Sequence, residues 1–264
     1  MTGPWRIAWV GNEFFRPHLT QLGHQAVRLP VPREGTYTWP EICARAGFEP
    51  DLVVYADVSR PPVLVGVEDF PCLTAFYCID SHLHAWYPFW AQAFDLVALS
   101  LKDHLWRFRA RLTEDRLLWL PPAPQDRHQP NPGVEPEWDL LFAGNVSQAT
   151  TPKRWTFLHA LAERVPGLVV RKGRFEGLFP RARLVLNFAD KGDLNFRVFE
   201  ALACRACLLT PRVGHGLEDL FTDGEHLFLY DPDRPDTLDR LARLAQGLLA
   251  APARRDRVAE AGWR

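Results

Sequence analysis

The segment 187–204 reads Asn-Phe-Ala-Asp-Lys-Gly-Asp-Leu-Asn-Phe-Arg-Val-Phe-Glu-Ala-Leu-Ala-Cys, and it gathers the chain's densest set of chemistry-bearing side chains. An apolar run ends there and a helical pattern begins. Asp193 is predicted to cap that helix, with amide donors at its positive end and with Asn195 and Arg197 in the first turn. Such a turn suits a phosphate. Glu200 follows Arg197 by three positions and shares its face, where a carboxylate can accept two ribose hydroxyls at once. Val198 and Leu202 fall on the opposite, core-facing side. The competing account of Arg197 and Glu200 is a surface helical ion pair worth about 0.3 to 0.5 kcal/mol.

Elements must bring these groups together. Two stretches, 6–12 and 138–145, run from apolar residues into Gly-Asn, at Gly11-Asn12 and Gly144-Asn145. Each reads as the opening strand of an α/β unit, with glycine permitting a tight turn at its carboxyl end. Between them, repeated prolines over 121–136 deny backbone donors and fix φ, so neither helix nor central strand can persist. The chain is therefore divided into an N-terminal domain over 1–122, a proline-rich linker over 123–137 and a C-terminal domain over 138–264. Strands are predicted at 7–10, 52–55, 73–78 and 96–100, then at 140–143, 168–171, 184–188, 206–210 and 227–230. Helices are predicted at 39–46, 101–111, 154–165, 194–204 and 235–249. That alternation implies α/β architecture with doubly wound parallel sheets, whose ligands sit at the carboxyl ends of the strands.

The phrase Asp-Leu-Asn-Phe-Arg-Val-Phe-Glu-Ala-Leu-Ala-Cys at 193–204 is followed by Leu-Leu-Thr at 208–210, Gly-Leu-Glu-Asp-Leu-Phe at 216–221 and Asp-Gly-Glu-His at 223–226. Together they resemble the C-terminal region of CgeB-like glycosyltransferases, members of the GT-B superfamily. Phe-Tyr-Cys-Ile-Asp-Ser-His-Leu-His at 76–84, Phe-Asp-Leu-Val at 94–97 and Trp-Leu-Pro at 119–121 extend the resemblance into the first half. It implies a GT-B architecture, two Rossmann-like domains facing across a cleft, with the donor nucleotide on the second and the acceptor against the first. It makes Glu200 the ribose ligand and Arg197, Arg154 and Lys172 diphosphate partners. Gly144 and Asn145 become a wall of a donor site that also draws on Asn187, Asp193, Asn195 and Gly216. No metal and no tightly bound cofactor is implied; the co-substrate is a nucleotide-diphosphate sugar, with UDP-hexose the expected donor. The acceptor is an unidentified glycan, protein or small molecule. Positive groups would stabilise the departing diphosphate in place of a metal. Two departures stand out: Arg205 replaces the glycine that relatives carry after Ala-Cys, and relatives continue into a further helical segment, as if this chain were a fragment.

Asp80, His82 and His84 alternate, so a strand continuing through them would present all three on one side. On the acceptor side, Asp80 or His82 would take the proton of the acceptor hydroxyl, with His84, Gly11, Asn12 and Glu13 nearby. A second reading makes the histidines loop or core residues. A third, a metal-dependent hydrolase, uses the same trio as zinc or iron ligands, but His104, His128 and His159 complete no recognisable ligand pattern. Glu13 and Arg16 fit an exposed helix start equally well, and His215 fits a turn. Trp86 and Trp90 fit core packing better than sugar stacking.

Composition sets the outer bounds. The chain has 264 residues, 47% of them hydrophobic and 24% charged, enough for two compact cores. A net charge of -1 disfavours nucleic acid as a partner. Five scattered cysteines do not describe a disulfide framework, and the Cys204/Cys207 pair between apolar residues reads as core. No apolar stretch approaches the roughly 18 residues of a membrane span, and no secretory leader is visible, so a cytoplasmic location is expected. Beyond the transferase, the main rival is a non-catalytic nucleotide- or carbohydrate-binding module.

Overall fold

A computed structural model describes residues 3–264. These divide into two compact units, one ending at Pro121 and the other running Pro122–Arg264.

In the first unit six strands form one parallel sheet: β1 (Arg6–Gly11), β2 (Gln25–Leu29), β3 (Leu52–Ala56), β4 (Leu73–Cys78), β5 (Leu96–Leu99) and β6 (Leu117–Trp119), in the order β2-β1-β3-β4-β5-β6. Its helices are α1 (Arg16–Gln21), α2 (Trp39–Ala46), α3 (Tyr87–Trp90) and α4 (Leu105–Arg109). Local sequence explains α2 well. Thr38 and Glu41 close a capping box, Pro40 sits in the first turn, and Gly47 ends the helix in the left-handed region at φ 78°. The apolar runs of β1 and β3 are buried on both faces, as a covered parallel sheet requires. Trp90 packs its ring against Tyr55, Phe76 and Phe94, and Trp86 against Tyr87, so these two half-buried tryptophans pack against the core.

The second unit holds five parallel strands: β7 (Trp138–Ala143), β8 (Leu168–Arg171), β9 (Ala182–Leu186), β10 (Leu208–Pro211) and β11 (Phe228–Tyr230). Their order is β11-β10-β9-β7-β8. Six helices accompany them: α5 (Pro152–Ala162), α6 (Phe175–Leu178), α7 (Phe196–Ala203), α8 (Leu217–Leu220), α9 (Thr237–Leu249) and α10 (Pro252–Trp263). Leu140, Phe142, Leu184, Leu186, Leu209 and Leu241 are its fully enclosed centre.

In both sheets the first strand of the unit has its second strand on one side and its third on the other. The order in which successive strands are added reverses between β1 and β3, and again between β7 and β9, while all of these strands stay parallel. At such a switch point the two connections leave in opposite directions and open a crevice at the strands' carboxyl ends. Gly11 ends β1 there, and Gly144 directly follows β7. A Cβ on Gly11 would lie 2.0 Å from the Ala56 carbonyl oxygen, so only glycine lets β1 and β3 approach as they do.

The proline-rich stretch, expected as a linker, packs onto the second unit. His128 within it is 2% exposed, and Arg127 pairs with Glu176 of α6 at 3.7 Å. Prolines forbid regular structure there, but they do not forbid burial.

Candidate functional site

At the second switch point Arg197 bridges the two diverging strands. Its Nε donates to the Ala143 carbonyl at the end of β7 (3.0 Å), and its Nη1 donates to Asn187 Oδ1 just past β9 (2.7 Å). The guanidinium lies 5.1 Å from the Phe142 ring centre and 5.6 Å from that of Phe175. Gly144 makes room for it, since a Cβ there would meet Arg197 Nη2 at 3.1 Å. Burial pushes the Arg197 pKa down to about 10, with the Arg154 charge adding to the effect; the group stays cationic at neutral pH. Arg154 approaches the same Phe142 ring, donates to the Asn145 carbonyl (2.8 Å) and pairs with Asp190. Two cations held side by side at low solvent access repel one another. An anion between them would relieve that repulsion.

Glu200, one turn along α7 from Arg197, lines the same cleft of about 610 Å³ with Arg154, Phe175, Phe188, Asp190 and Arg197. Burial pushes its carboxyl up to about 7, against the opposing pull of Arg197 and Arg127. A carboxyl raised toward neutrality beside two arginines, one turn into α7, can meet the hydroxyls of a polyhydroxy anion.

The structure brings together Arg197, Glu200, Asp193, Asn195 and Arg154 along this cleft, while Gly144 and Asn145 meet it through Arg197 and Arg154. Several details differ from expectation. Asp193 does not cap the helix: Asn195 is the N-cap residue, and α7 starts at Phe196. The pair Asp193-Leu194 is spent in the loop before it. Asn195 Oδ1 is buried without a hydrogen bond among the described residues. Asn187 is not among the cleft-lining residues; it is 1% exposed, donates to Thr210 Oγ1 (3.0 Å) and holds Arg197. Its own carbonyl accepts from the buried Tyr230 hydroxyl (2.7 Å). Lys172 is exposed after β8 and is not among the cleft-lining residues. Gly216 caps α8 at φ 87° and also lies off this cleft.

Arg205 turns out to be a helix-end residue. It adopts φ 57°, the left-handed conformation that glycine takes most readily. The Arg205 N–H donates to the Leu202 carbonyl (2.8 Å) and the Ala206 N–H to that of Ala201 (3.0 Å), the paired bonds of a Schellman ending. The arginine therefore preserves the helix end at the cost of backbone strain. Its side chain pairs with Glu260 of α10 at 2.7 Å, so it adds no cation to the Glu200 cleft. A second cavity of about 410 Å³, lined by Arg205, Cys204, Cys207 and Arg255, opens beside Ala182 at the start of β9 and Cys207 just before β10. That is the amino end of the sheet, away from the switch-point crevice.

The first unit's switch point is organised by Asp57, which the sequence reading passed over. This buried carboxylate accepts from the backbone N–H of Ser59 (2.8 Å), Ile79 (3.0 Å) and Asp80 (2.8 Å) and from the Tyr87 hydroxyl (2.5 Å). Asn12 donates through Nδ2 to the Asp57 carbonyl (3.0 Å), tying β1 to β3. Glu13 pairs with Arg16 at 3.0 Å and lies 3.9 Å from Arg28.

No strand continues through Asp80, His82 and His84. β4 ends at Cys78, and the N–H groups of Leu83 and His84 return to the Asp80 carbonyl in a turn. Asp57 captures the backbone of Ile79 and Asp80 and bends the chain, so alternation does not place the three side chains on one side. His84 Nε2 meets Ser59 Oγ at 2.7 Å, and Ser59 itself stands at φ 57°. Burial first, and Asp57 second, raise the Asp80 carboxyl above the ordinary range. Among the described residues no cluster of three or more His, Cys, Asp or Glu side chains is arranged to hold one metal ion. The signal that could have found Asp57 is its position, an acidic residue directly after the apolar run of β3.

Two doubly wound α/β units of this kind, with a cationic switch-point cleft in the second, define the GT-B glycosyltransferase fold. A family model described as glycosyl transferase-like matches residues 133–264, and the chain belongs to that family. Similar solved structures include HepE from Anabaena in complex with UDP-glucose (TM-score 0.66, 11% identity, covering 98% of this chain and 93% of that one). A glycosyltransferase from Rickettsia africae ESF-5 aligns with TM-score 0.63 at 10% identity over 99% of this chain and 93% of that one. Sucrose-phosphate synthase from Thermosynechococcus elongatus aligns with TM-score 0.60 at 11% identity over 97% and 92%. No curated protein sequence matches the chain. Among the described residues no helix is long and apolar enough to cross a membrane.

Proposed function

We propose that the chain transfers a hexose from a nucleoside-diphosphate sugar, UDP-hexose first among donors, to an acceptor hydroxyl. The carrying observation is the switch-point cleft of the second unit, where Arg197 and Arg154 share the Phe142 ring and Glu200 stands one turn away. Glu200 takes the two ribose hydroxyls. Arg197, with Nη2 left over from its two anchoring bonds, and Arg154 take the diphosphate. As the sugar–phosphate bond breaks, negative charge grows on the leaving diphosphate, and these fixed cations stabilise it without the reorganisation that water would need. That work is what a metal would otherwise do. Binding of UDP and UDP-glucose by the similar HepE is consistent with this donor class. The CgeB-like motifs at 193–204 and 216–226 support reading the chain as a member of that subgroup.

The acceptor side is assigned to the Asp57 hub. Asp57 fixes the backbone of Asp80, and Ser59 fixes His84, so Asp80 and His84 are held rather than loose. Asp80, with its carboxyl raised, is the residue positioned to take a proton from an acceptor hydroxyl, and His82 is its neighbour in the same turn. Calorimetry with UDP, GDP, ADP and CDP tests the donor assignment, with Glu200→Ala as control. Binding of one nucleotide that the control loses supports it; no binding by any of the four refutes it. Binding without turnover in the presence of varied acceptors would favour a non-catalytic binding module.

A further inference from the structure

His128 comes from the proline-rich segment, is 2% exposed, and lies against α7 from outside the cleft. The Gln125 backbone N–H donates to its Nδ1 at 3.1 Å. A ring nitrogen that accepts this bond carries no proton, so the neutral imidazole bears its hydrogen on Nε2. That Nε2 stands 3.7 Å from Glu200 Oε1. Burial and the neighbouring Arg127 charge both hold His128 below its ordinary range, which keeps the ring neutral.

The segment is pinned for this task. The Gln129 backbone reaches the Cys204 sulfur at the end of α7, and Arg127 pairs with Glu176 of α6. The charged and titratable groups facing Glu200 are Arg197 and Cys204 on its own helix, Arg127 and His128 on the proline-rich segment, and Glu176 on α6. The two arginines favour its carboxylate and Glu176 disfavours it.

We propose that His128 is a positioning residue for Glu200: its fixed Nε2–H, at 3.7 Å from Oε1 and so beyond a direct hydrogen bond, acts as a dipole behind that oxygen and leaves the other to grip the ribose. The inference rests on the donor reading given above. The N–H dipole turns its positive end toward Oε1, so the contact favours the charged carboxylate as well as aiming it. A side chain outside the cleft thereby adjusts, on top of burial and the two arginines, the pH at which the nucleotide is held.

The test is a carbon-detected NMR titration of the Glu200 carboxyl in the full chain, for wild type, His128→Phe and His128→Gln, paired with UDP calorimetry at pH 6 and pH 8. His128→Phe removes the donor and is expected to raise the Glu200 midpoint by up to about half a pH unit. UDP affinity then falls by up to about threefold at pH 6 and little at pH 8. His128→Gln, whose amide can donate from the same place, restores most of both. If the phenylalanine variant does not fold, His128→Asn keeps an acceptor for Gln125 and withdraws the donor, and it reads the same shift. An unchanged midpoint in these variants, or UDP affinity that falls equally at both pH values, overturns the proposal. A wild type that does not bind UDP overturns the donor reading and the ribose role with it, while the titration still reports on the contact.

Discussion

Replacing Glu200 by glutamine keeps the shape of the side chain and removes its charge, and the structure sets both sign and size of the effect on stability. The folded state raises the Glu200 carboxyl from the ordinary 4.5 to about 7, chiefly by burial. Below pH 4.5 the group is protonated in both folded and unfolded chains, and its contribution to stability is fully present. As pH rises toward 7 the unfolded chain releases the proton while the folded chain retains it, so stability drains away until the folded group also ionises. The loss amounts to about 3 kcal/mol across that window. Glutamine does not titrate and escapes it. At roughly 3 °C per kcal/mol, the second unit of Glu200→Gln should melt about 10 °C above wild type at pH 7.5 and close to it at pH 4.5. Differential scanning calorimetry at four pH values between these limits measures the divergence. A melting difference that stays constant with pH, or a wild type that gains on the variant as pH rises, refutes the placement of Glu200 in a desolvated site.

Arg205→Gly should stabilise the second unit by about 0.5 to 1 kcal/mol in urea unfolding, because relief of left-handed strain outweighs one half-exposed ion pair with Glu260; nucleotide affinity should not change. Gly11→Ala drives a methyl into the Ala56 carbonyl and should cost the first unit about 3 kcal/mol or more, seen as a lowered urea midpoint. Arg197→Met keeps the aliphatic stem but strands the Ala143 carbonyl and Asn187 Oδ1. It should cost about 1 to 3 kcal/mol by the same assay and weaken UDP binding at least about tenfold in calorimetry.

The strand pattern was readable because buried parallel strands are continuous apolar runs: Leu73–Cys78 and Leu168–Arg171 fall where the pattern puts them, and Trp39–Ala46 follows from its capping box and terminal glycine. The two Gly-Asn turns lie at the carboxyl ends of β1 and β7, the first strands of the two units. β2 was missed because Gln25 and Arg28 interrupt its apolar alternation, and three-residue β6 is too short to show any period. α10 was missed because Pro252–Trp263 is mostly polar on the surface.

The site was legible where local rules suffice, in the i, i+3 placement of Arg197 and Glu200. It was opaque where long-range bonds decide. Asp57 bends the Asp80–His84 stretch through hydrogen bonds from more than twenty residues away. Asn187 looked like a ligand-facing amide, yet it is consumed by Arg197 and Thr210. The prolines announced irregular backbone but gave no hint that His128 would be buried behind Glu200.

A crystal structure of the full chain soaked with UDP tests the central claim most directly. The account predicts the ribose hydroxyls on the Glu200 carboxylate and the diphosphate between Arg197 and Arg154, at the carboxyl ends of β7 and β9. A nucleotide bound elsewhere, or one whose phosphates lie away from both arginines, would contradict it.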